Sequence, residues 1–226
     1  MCDFELRLSE NIVRHSLMTP ERPVIVAVSG GADSVALLTG LNALGYDCVA
    51  AHCNFHLRGE ESNRDMRSVG ELCDKLGIDL YMRDFNVHER CSTTGESIEM
   101  ACRTLRYEWF GTLLDKLRAQ CIAVAHHRED NIETFFLNLM RGSSITGLTG
   151  MRWRNNFVVR PMLDLTRDEI ERYLADSGIP WVNDSTNSEN VFARNRLRNV
   201  VLPTLAEAFP GGIDGILKSI SYLTDN

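Results

Sequence analysis

Residues 24–34 read VIVAVSGGADS and carry the strongest signal for the fold. The uninterrupted apolar run at 24–28 is typical of a strand that is buried on both faces of a sheet. The glycines that follow allow a tight turn and a close approach of the backbone to a ligand. A helix is predicted next, through about Leu44, and its first turn offers free N–H groups and a positive dipole end. This order of strand, turn and helix suits phosphate.

Apolar runs of strand length alternate with helical periods along most of the chain. The expected strands are 24–28, 48–52, 78–82, 121–125 and 157–159, and the expected helices include 60–76, 97–117, 166–178 and a segment from about Phe192. This alternation predicts an α/β fold, a parallel sheet flanked by helices on both faces, of the Rossmann-like kind. A further helix should turn residues 135–139 toward the core, and 142–150 (GSSITGLTG) is expected to be a loop.

The chain is expected to divide near residue 208. Residues 1–208 have the length and composition of one domain, and 209–226 are predicted to form a terminal helix after the break at 210–212. The abrupt end favours a helix that leads to a C-terminal domain absent from this chain, with a natural C-terminus as the alternative. No window holds the roughly 18 apolar residues of a membrane helix, and the N-terminus lacks a secretory signal. We therefore expect a cytoplasmic protein without a membrane partner.

The cysteines argue against a disulfide framework and against a metal site built on thiolates. They are odd in number and scattered, without a C-x-x-C pair: Cys2, Cys48, Cys53, Cys73, Cys91, Cys102 and Cys121. Zinc ribbons and iron–sulfur sites use closely paired cysteines. We expect free thiols in or near the core.

The charge distribution is compatible with a nucleic-acid partner but does not establish one. The net charge is −7, which by itself disfavours a polyanion. Residues 141–200 nevertheless hold nine arginines, no lysine and seven acidic residues. An arginine-bearing surface of this kind can meet phosphate groups, although it is too modest to prove RNA binding.

The glycine-rich segment 29–34 (SGGADS) lacks the lysine and spacing of the ATPase P-loop and the pattern of dinucleotide-binding folds. A tight turn capped by Asp33 or Ser34 is the simpler alternative. The segment resembles the signature loop of the N-type ATP pyrophosphatases, the PP-loop family. That resemblance implies an adenine nucleotide alpha hydrolase-like fold with ATP and Mg²⁺ as cofactors. It also implies that Ser29, Gly30, Gly31 and Ser34 bind the pyrophosphate part of ATP, with Asp33 near the metal.

Further motifs resemble, in one order and with family spacing, those of the tRNA(Ile)-lysidine synthetases. They are 52–62 (HCNFHLRGEES), the helix 97–107, 126–134 (HHREDNIET), Arg141-Gly142, Gly147-Leu148, Arg160-Pro161, 184–187 (DSTN) and 192–198. Three positions depart from the family pattern. Phe55 and His56 stand where it usually shows His and then Gly, Cys102 replaces an alanine, and Ala125 replaces a glycine. The resemblance extends from about Val24 to Leu205.

This second resemblance implies an ATP-dependent ligase that joins lysine to C2 of the wobble cytidine in an isoleucine tRNA with a CAU anticodon. The base would first be adenylated, so that pyrophosphate and then AMP are released. The implied partners are that tRNA and free L-lysine, and the oligomeric state is left open, with a homodimer among the options. The implied catalytic residues are Asp33, His127, Asp130 and Glu133.

The residues themselves place these groups together. The segments 29–34, 52–56 and 126–130 each follow a predicted strand, and the carboxyl ends of parallel strands form the usual ligand crevice. Asp130 and Glu133 share one helix face and are candidates to hold and deprotonate the lysine ammonium. Arg194 is the candidate for its carboxylate, and His127 would orient or contact the phosphates.

Arg103 and Arg106 are assigned to ATP binding through the resemblance. Each group also has a simpler alternative. Asp130 and Glu133 would then be an acidic helix cap, and the two arginines would form a salt-bridge ladder with Glu99. Arg194 would lie on a solvated face with Arg198.

Three other functions compete with this hypothesis. A tRNA thiolation enzyme would carry the same loop, but we would expect paired cysteines for persulfide chemistry or a cluster. An amide-forming ligase of the superfamily would need an ammonia supply or a glutaminase domain, and none fits here. A non-catalytic ATP-binding module would bind the nucleotide without releasing AMP.

Overall fold

A six-stranded sheet forms the centre of the computed structural model, which describes residues 1–182 and 193–225. The sheet order is β3-β2-β1-β4-β6-β5, with β5 antiparallel to β6 and the other neighbouring pairs parallel. The strands are β1 (Val24–Ala27), β2 (Cys48–Asn54), β3 (Leu80–Asp84), β4 (Cys121–Ala123), β5 (Arg154–Asn155) and β6 (Val158–Val159).

The helices pack on both faces of this sheet. They are α1 (Asp3–Arg14), α2 (Ala32–Ala43), α3 (Glu60–Leu76), α4 (Val87–Thr94), α5 (Ile98–Leu117), α6 (Arg128–Met140), α7 (Arg167–Asp176), α8 (Ala193–Arg196), α9 (Leu202–Ala208) and α10 (Gly212–Asp225). A 3-10 helix spans Ile145–Thr149, and a π-helical turn spans Leu197–Val201.

Successive side chains of β1 belong to two different hydrophobic cores, one on each face of the sheet. Val24 and Val26 belong to the core that contains Leu8 of α1, together with residues of α2, α3 and α7. Ile25 belongs to the second core, with Phe110 of α5. Successive side chains of a strand point to opposite faces, so both faces of the sheet are covered. The predicted α/β fold is confirmed.

Several local predictions are confirmed by the chemistry of the helix ends. Helix α3 ends at Leu76 because Gly77 adopts a left-handed φ of +67°. Helix α7 begins with the expected capping box. The Thr166 hydroxyl accepts from the Glu169 N–H at 3.2 Å, and the Glu169 carboxylate accepts from the Thr166 N–H at 2.7 Å.

Other predictions were wrong. Leu139 and Met140 are 48% and 63% exposed, so the apolar stripe of α6 does not continue into the core. The segment 142–150 contains the 3-10 helix and is not only a loop. Strand β5 and helix α4 were not anticipated, because a strand of two residues and a helix of eight carry too little periodicity.

The terminal helix forms as α10 and packs on α6, where Asp214 pairs with Arg128. Thr224 donates a hydrogen bond to the carbonyl of Thr149 at 3.2 Å. The domain boundary near residue 208 and a further domain beyond α10 stay predictions. Among the helices of the described ranges, none alone is long and apolar enough to cross a membrane. The helices Ala193–Ala208 and Gly212–Thr224, bent by 105° relative to each other, reach that length and apolar composition only when they are taken together.

Contact between α1 and α2 depends on Gly40. A Cβ there would lie 2.9 Å from atoms of both Leu8 and Phe4, which are core residues. We predict that Gly40→Ala lowers the free energy of unfolding by about 1–2 kcal/mol through overpacking. Gly70→Ala is the matched control, since that glycine lies within α3 with open space around its Cα. It should raise stability by about 0.5–1 kcal/mol. Urea unfolding measures both, and stabilisation by both substitutions would contradict the close contact.

Candidate active site

The glycine-rich loop at 29–34 connects β1 to α2 and is held in shape by one hydroxyl. Ser34 Oγ accepts hydrogen bonds from the backbone N–H of Ser29 at 3.1 Å and of Gly30 at 3.2 Å. The same hydroxyl donates to the Gly31 carbonyl at 3.0 Å. Gly31 is the N-cap of α2 and no side chain caps the helix there, so the alternative of a turn capped by Asp33 or Ser34 is wrong. Ser34 organises the loop from within, whereas Ser29 is exposed.

Gly30 has a conformational reason to be glycine. Its φ is +98°, a region that side-chain-bearing residues rarely adopt. A Cβ would also lie 3.5 Å from Val69 Cγ2 and 3.6 Å from the Asp65 carbonyl of α3. The Gly30 carbonyl accepts from the Val182 N–H at 3.0 Å. The loop is therefore fixed against α3 and against the segment after α7.

The sheet topology brings this loop next to the segment that follows β4. The chain winds from β1 to β2 and β3 on one side, and β4 lies on the other side of β1. Ligands of open α/β sheets bind at such a switch point. A cavity of about 300 Å³ lies here, and its walls include Asp33, Arg106, Tyr107, His126 and Asp130. The predicted meeting of the first and last of the three segments is confirmed.

His127 lies behind this cavity, buried among carboxylates. Its Nδ1 is 2.8 Å from Glu129 Oε2, and its Nε2 is 3.4 Å from Asp130 and 3.7 Å from Asp33. Burial alone would lower the pKa of His127, but the bond to Glu129 and the charges of Asp130 and Asp33 raise it. A protonated imidazole here connects the loop after β1 to the start of α6.

Asp33 has the properties of a metal-binding carboxylate. Burial raises its pKa, although the nearby His127 opposes that shift. Among the described residues, its Oδ1 is buried and has no hydrogen-bond partner. No group of three His, Cys, Asp or Glu side chains in that part of the chain is arranged to hold a metal. Magnesium commonly binds through one or two carboxylates together with substrate phosphates and water, so one orphaned Asp33 oxygen fits that ion.

Asp130 and Glu133 both pair with Arg198, which lies in the π-helical turn. Arg198 Nε donates to Glu133 Oε1 at 2.7 Å, and its Nη2 reaches Glu133 Oε2 and Asp130 Oδ1, both at 3.1 Å. Asp130 also accepts from the His127 backbone N–H at 3.1 Å. It therefore does cap α6, as the simpler alternative required, and it lines the cavity as well.

The pKa values of the two carboxyl groups shift in opposite directions. Burial raises the pKa of Glu133, which has 0% exposure, against the opposing effect of Arg198. Burial acts in the same direction on Asp130, but the neighbouring His127 and Arg198 lower its pKa below the ordinary value. Arg194 contacts Glu133 Oε2 at 3.4 Å and donates to Thr134 Oγ1 at 3.2 Å, so it does not lie on a purely solvated face.

The family model for the PP-loop domain matches residues 3–205. The chain belongs to the PP-loop family. A tRNA(Ile)-lysidine synthase of Bacteroides thetaiotaomicron is 48% identical over 219 residues, which are 97% of this chain and 51% of that protein. The protein of the same name from Porphyromonas gingivalis W83 is 51% identical over 200 residues, covering 88% of this chain and 44% of the relative. The chain thus spans about half the length of these relatives.

Solved structures agree on the fold. The U34-tRNA thiolase NcsA from Methanococcus maripaludis, described with its [4Fe-4S] cluster, superposes with a TM-score of 0.79. The match covers 99% of this chain and 79% of that one at 16% sequence identity. At this identity, the likeness concerns the architecture of the PP-loop domain alone.

The site contains two residues to which sequence reasoning gave no role. Arg198 was noted only for its spacing from Arg194, yet it joins both carboxylates of α6. His126 lines the cavity and accepts a hydrogen bond at Nδ1 from Arg160 Nε at 3.0 Å. The available signals were the i, i+4 arginine pair and the double histidine, but neither pattern tells which member faces the site.

The segment after β2 forms the wall of a second cavity of about 240 Å³, which Ser29 and Arg106 also line. His52 is buried and donates from Nδ1 to the Val28 carbonyl at 2.8 Å, and burial lowers its pKa. His56 has a φ of +53° and lies 2.7 Å from Asp84. The positive φ explains why the family pattern has glycine at this position, and nothing in the structure explains the histidine.

Arg106 lies at the cavities, whereas Arg103 lies away from them. Arg106 lines both cavities, with its guanidinium 5.4 Å from the Phe55 ring centre. Arg103 is exposed and lies over Tyr107 at 5.0 Å, outside the residues that line either cavity. Neither arginine forms an ion pair with Glu99 among the described residues, so the alternative salt-bridge ladder is wrong. The predicted motif 184–187 and Phe192 lie outside the described residues.

His127 should make stability depend on pH. Since its folded pKa is raised, the stabilisation is complete below the unfolded value of about 6.5 and is lost as the pH rises through the folded pKa. We predict that His127→Asn costs about 3 kcal/mol at pH 6 and less at pH 9. Urea unfolding across this range measures the difference. The exposed His88→Asn is the control, with a profile parallel to that of the wild type. Parallel profiles for His127→Asn and wild type would contradict the assignment.

Proposed function

We propose that the chain ligates lysine to C2 of the wobble cytidine in an isoleucine tRNA with a CAU anticodon, at the expense of ATP. The observation that carries the proposal is the shared cavity of the PP-loop and Asp130 at the β1/β4 switch point. The similarity to tRNA(Ile)-lysidine synthases supports the tRNA substrate. The same proposal includes a cytoplasmic location, free lysine as a substrate and a homodimer. The location and the lysine follow from the reaction, and the homodimer does not.

In the first step, the C2 oxygen of cytidine attacks the α-phosphorus of ATP. The bond from that phosphorus to the β-phosphate bridging oxygen breaks, and pyrophosphate leaves with the electron pair. The N–H groups at the start of α2 and the exposed Ser29 hydroxyl face the place for pyrophosphate. Mg²⁺ held by Asp33 would neutralise the charge that develops on the leaving group.

In the second step, the lysine side-chain amine attacks C2, and the C2–oxygen bond breaks to release AMP. The amine has an ordinary pKa of about 10.4, so it arrives as an ammonium and must lose a proton to react. Asp130, which lines the cavity and is kept ionised, attracts the ammonium. Glu133, whose pKa is raised by burial, is the candidate to accept that proton.

Arg198 and Arg194 prepare this region for a zwitterionic substrate. Arg198 neutralises Glu133 and Asp130 while lysine is absent. An incoming ammonium would take over part of that interaction, which leaves guanidinium donors for the lysine carboxylate. Arg194, at 42% exposure, is the more accessible of the two arginines and remains the candidate for the carboxylate.

The rival thiolation activity lacks support in the arrangement of cysteines. All seven are free thiols spread between exposed and buried positions, and burial raises the pKa of Cys48 and Cys53 to about 12. Persulfide chemistry requires an accessible thiolate, which such pKa values disfavour. The likeness to a thiolase concerns the fold alone.

Product analysis tests the reaction. The 226-residue chain is incubated with ATP, magnesium, radiolabelled lysine and an unmodified isoleucine tRNA transcript with a CAU anticodon. We expect AMP and pyrophosphate only in the presence of tRNA, and labelled lysine in the RNA. A transcript with uridine at the wobble position is the matched control and should accept no lysine. Bound ATP without AMP would favour the non-catalytic module. In a parallel reaction with labelled sulfide in place of lysine, labelled sulfur in the RNA would favour thiolation.

Asp33→Asn should lower AMP formation by at least about 100-fold, because it removes the carboxylate proposed for magnesium. The side-chain volume is unchanged, so the variant should still fold. The measurement is initial-rate AMP release, with circular dichroism to verify folding. The exposed Asp74→Asn, at the C-terminal end of α3, is the matched control and should retain the wild-type rate. Turnover retained in a folded Asp33→Asn variant would refute the loop assignment.

A further inference from the structure

The adjacent residues His126 and His127 have neighbours of opposite charge. The imidazole of His127 is surrounded by carboxylates, as described above. His126 instead contacts the guanidinium of Arg160, a residue that is 7% exposed. Among the described residues, no carboxylate lies within ion-pair distance of Arg160, which uses its Nη1 to donate to the Arg152 carbonyl at 2.9 Å. A buried cation therefore lies directly against one edge of His126.

This contact determines the tautomer of His126. A guanidinium N–H can only donate, so Nδ1 of His126 must accept and carries no proton. The proton of the neutral ring then resides on Nε2. Among the described residues, Nε2 has no hydrogen-bond partner, and His126 lines the cavity beside the PP-loop. The ring therefore has an N–H available for a ligand in that cavity.

The surrounding charges keep the ring uncharged. Burial lowers the pKa of His126 to about 4, with Arg160, Arg194 and His127 acting in the same direction and Asp130 opposing them. Protonation would place a second N–H at Nδ1 against the guanidinium donor. The ring consequently cannot accept a proton at Nε2, because that nitrogen already bears one.

We propose that His126 is a neutral hydrogen-bond donor, through Nε2–H, to an oxygen of the substrates bound in the switch-point cavity. Arg160 is the positioning residue that sets this tautomer. The identity of the substrates rests on the proposed function, and the oxygen belongs either to ATP or to the pyrimidine base. A neutral donor suits this place because it can bind an oxygen acceptor without adding a charge next to His127 and Arg194.

The tautomer is testable without any assay of activity. Nitrogen-15 NMR of histidine-labelled protein, assigned with His126→Gln, reports the protonation of each ring nitrogen. At pH 6, we expect Nδ1 of His126 to be unprotonated and Nε2 to be protonated. In Arg160→Met, the ring should titrate nearer to its ordinary pKa of about 6.5 and lose the fixed tautomer. A protonated Nδ1 in the wild-type protein would overturn the proposal. Arg154→Met, which removes an arginine that donates to backbone carbonyls, is the control and should leave the signals unchanged.

The same spectra identify the acceptor. ATP with magnesium is added first, and an RNA stem-loop carrying the CAU anticodon is added second. A change of the Nε2–H signal with ATP alone identifies a nucleotide oxygen, and a change only with the stem-loop identifies the base. An Nε2–H signal that responds to neither, although both ligands bind, would overturn the proposed contact.

Variants test whether the donor matters for turnover. The amide nitrogen of His126→Gln occupies nearly the place of Nε2–H, whereas His126→Leu has no donor. We expect His126→Leu to lower kcat/KM about 100-fold and His126→Gln to restore most of the loss. Equal losses in two folded variants that both bind ATP would overturn the role of the donor. If the wild-type protein makes no lysidine, the proposed reaction fails, but the tautomer and its response to ATP still decide this proposal.

Discussion

The site depends on a buried imidazole at the boundary between two parts of the sheet. His127 stands at the N-cap of α6, directly after the segment that continues β4, and its ring reaches toward Asp33 at the start of α2. The strands β1 and β4 are neighbours, but the residues that follow them are about a hundred positions apart in the chain. Carboxylates on both sides favour a charged ring, and such buried charges require partners in fixed places. The distance between the phosphate loop and the carboxylates of α6 is thereby set before any ligand binds.

The charged residues of helix α6 contact neighbouring elements in several directions. Arg128 points to α10 through Asp214, and Glu129 accepts from the Arg167 N–H of α7 at 3.2 Å. Asp130 and Glu133 face the π-helical turn through Arg198. These polar and ionic contacts lie in the first half of the helix, where Ile132 is the one fully buried apolar residue among the described positions. Leu139, near the end of the helix, is exposed.

Much of the fold could be predicted from the sequence because its strands are buried on both faces. Continuous apolar runs at β1, β2 and β4, each followed by polar or glycine-rich residues, identify a parallel sheet and its ligand edge. Strand β5 and the 3-10 helix have no such pattern, whereas the short β6 lies within the apolar run at 157–159. In the site, Asp33, Asp130 and His127 were found by their place after strands and by the family motifs. The arginines that pair with this site come from distant segments, Arg198 with Asp130 and Arg160 with His126. Helix or strand spacing contains no information about such long-range pairing.

The two carboxyl groups of α6 show why motif reasoning stops short of mechanism. Asp130 and Glu133 share a helix face, which made them equivalent candidates from sequence, and in the structure both pair with Arg198. Their surroundings separate them, because Asp130 lies near two histidines and the cavity, whereas Glu133 is enclosed and its pKa is raised by burial. In the proposed reaction, Asp130 would attract the lysine ammonium and Glu133 would take its proton. This assignment rests on burial and on neighbouring charges, because the residue types and spacing alone would permit either order.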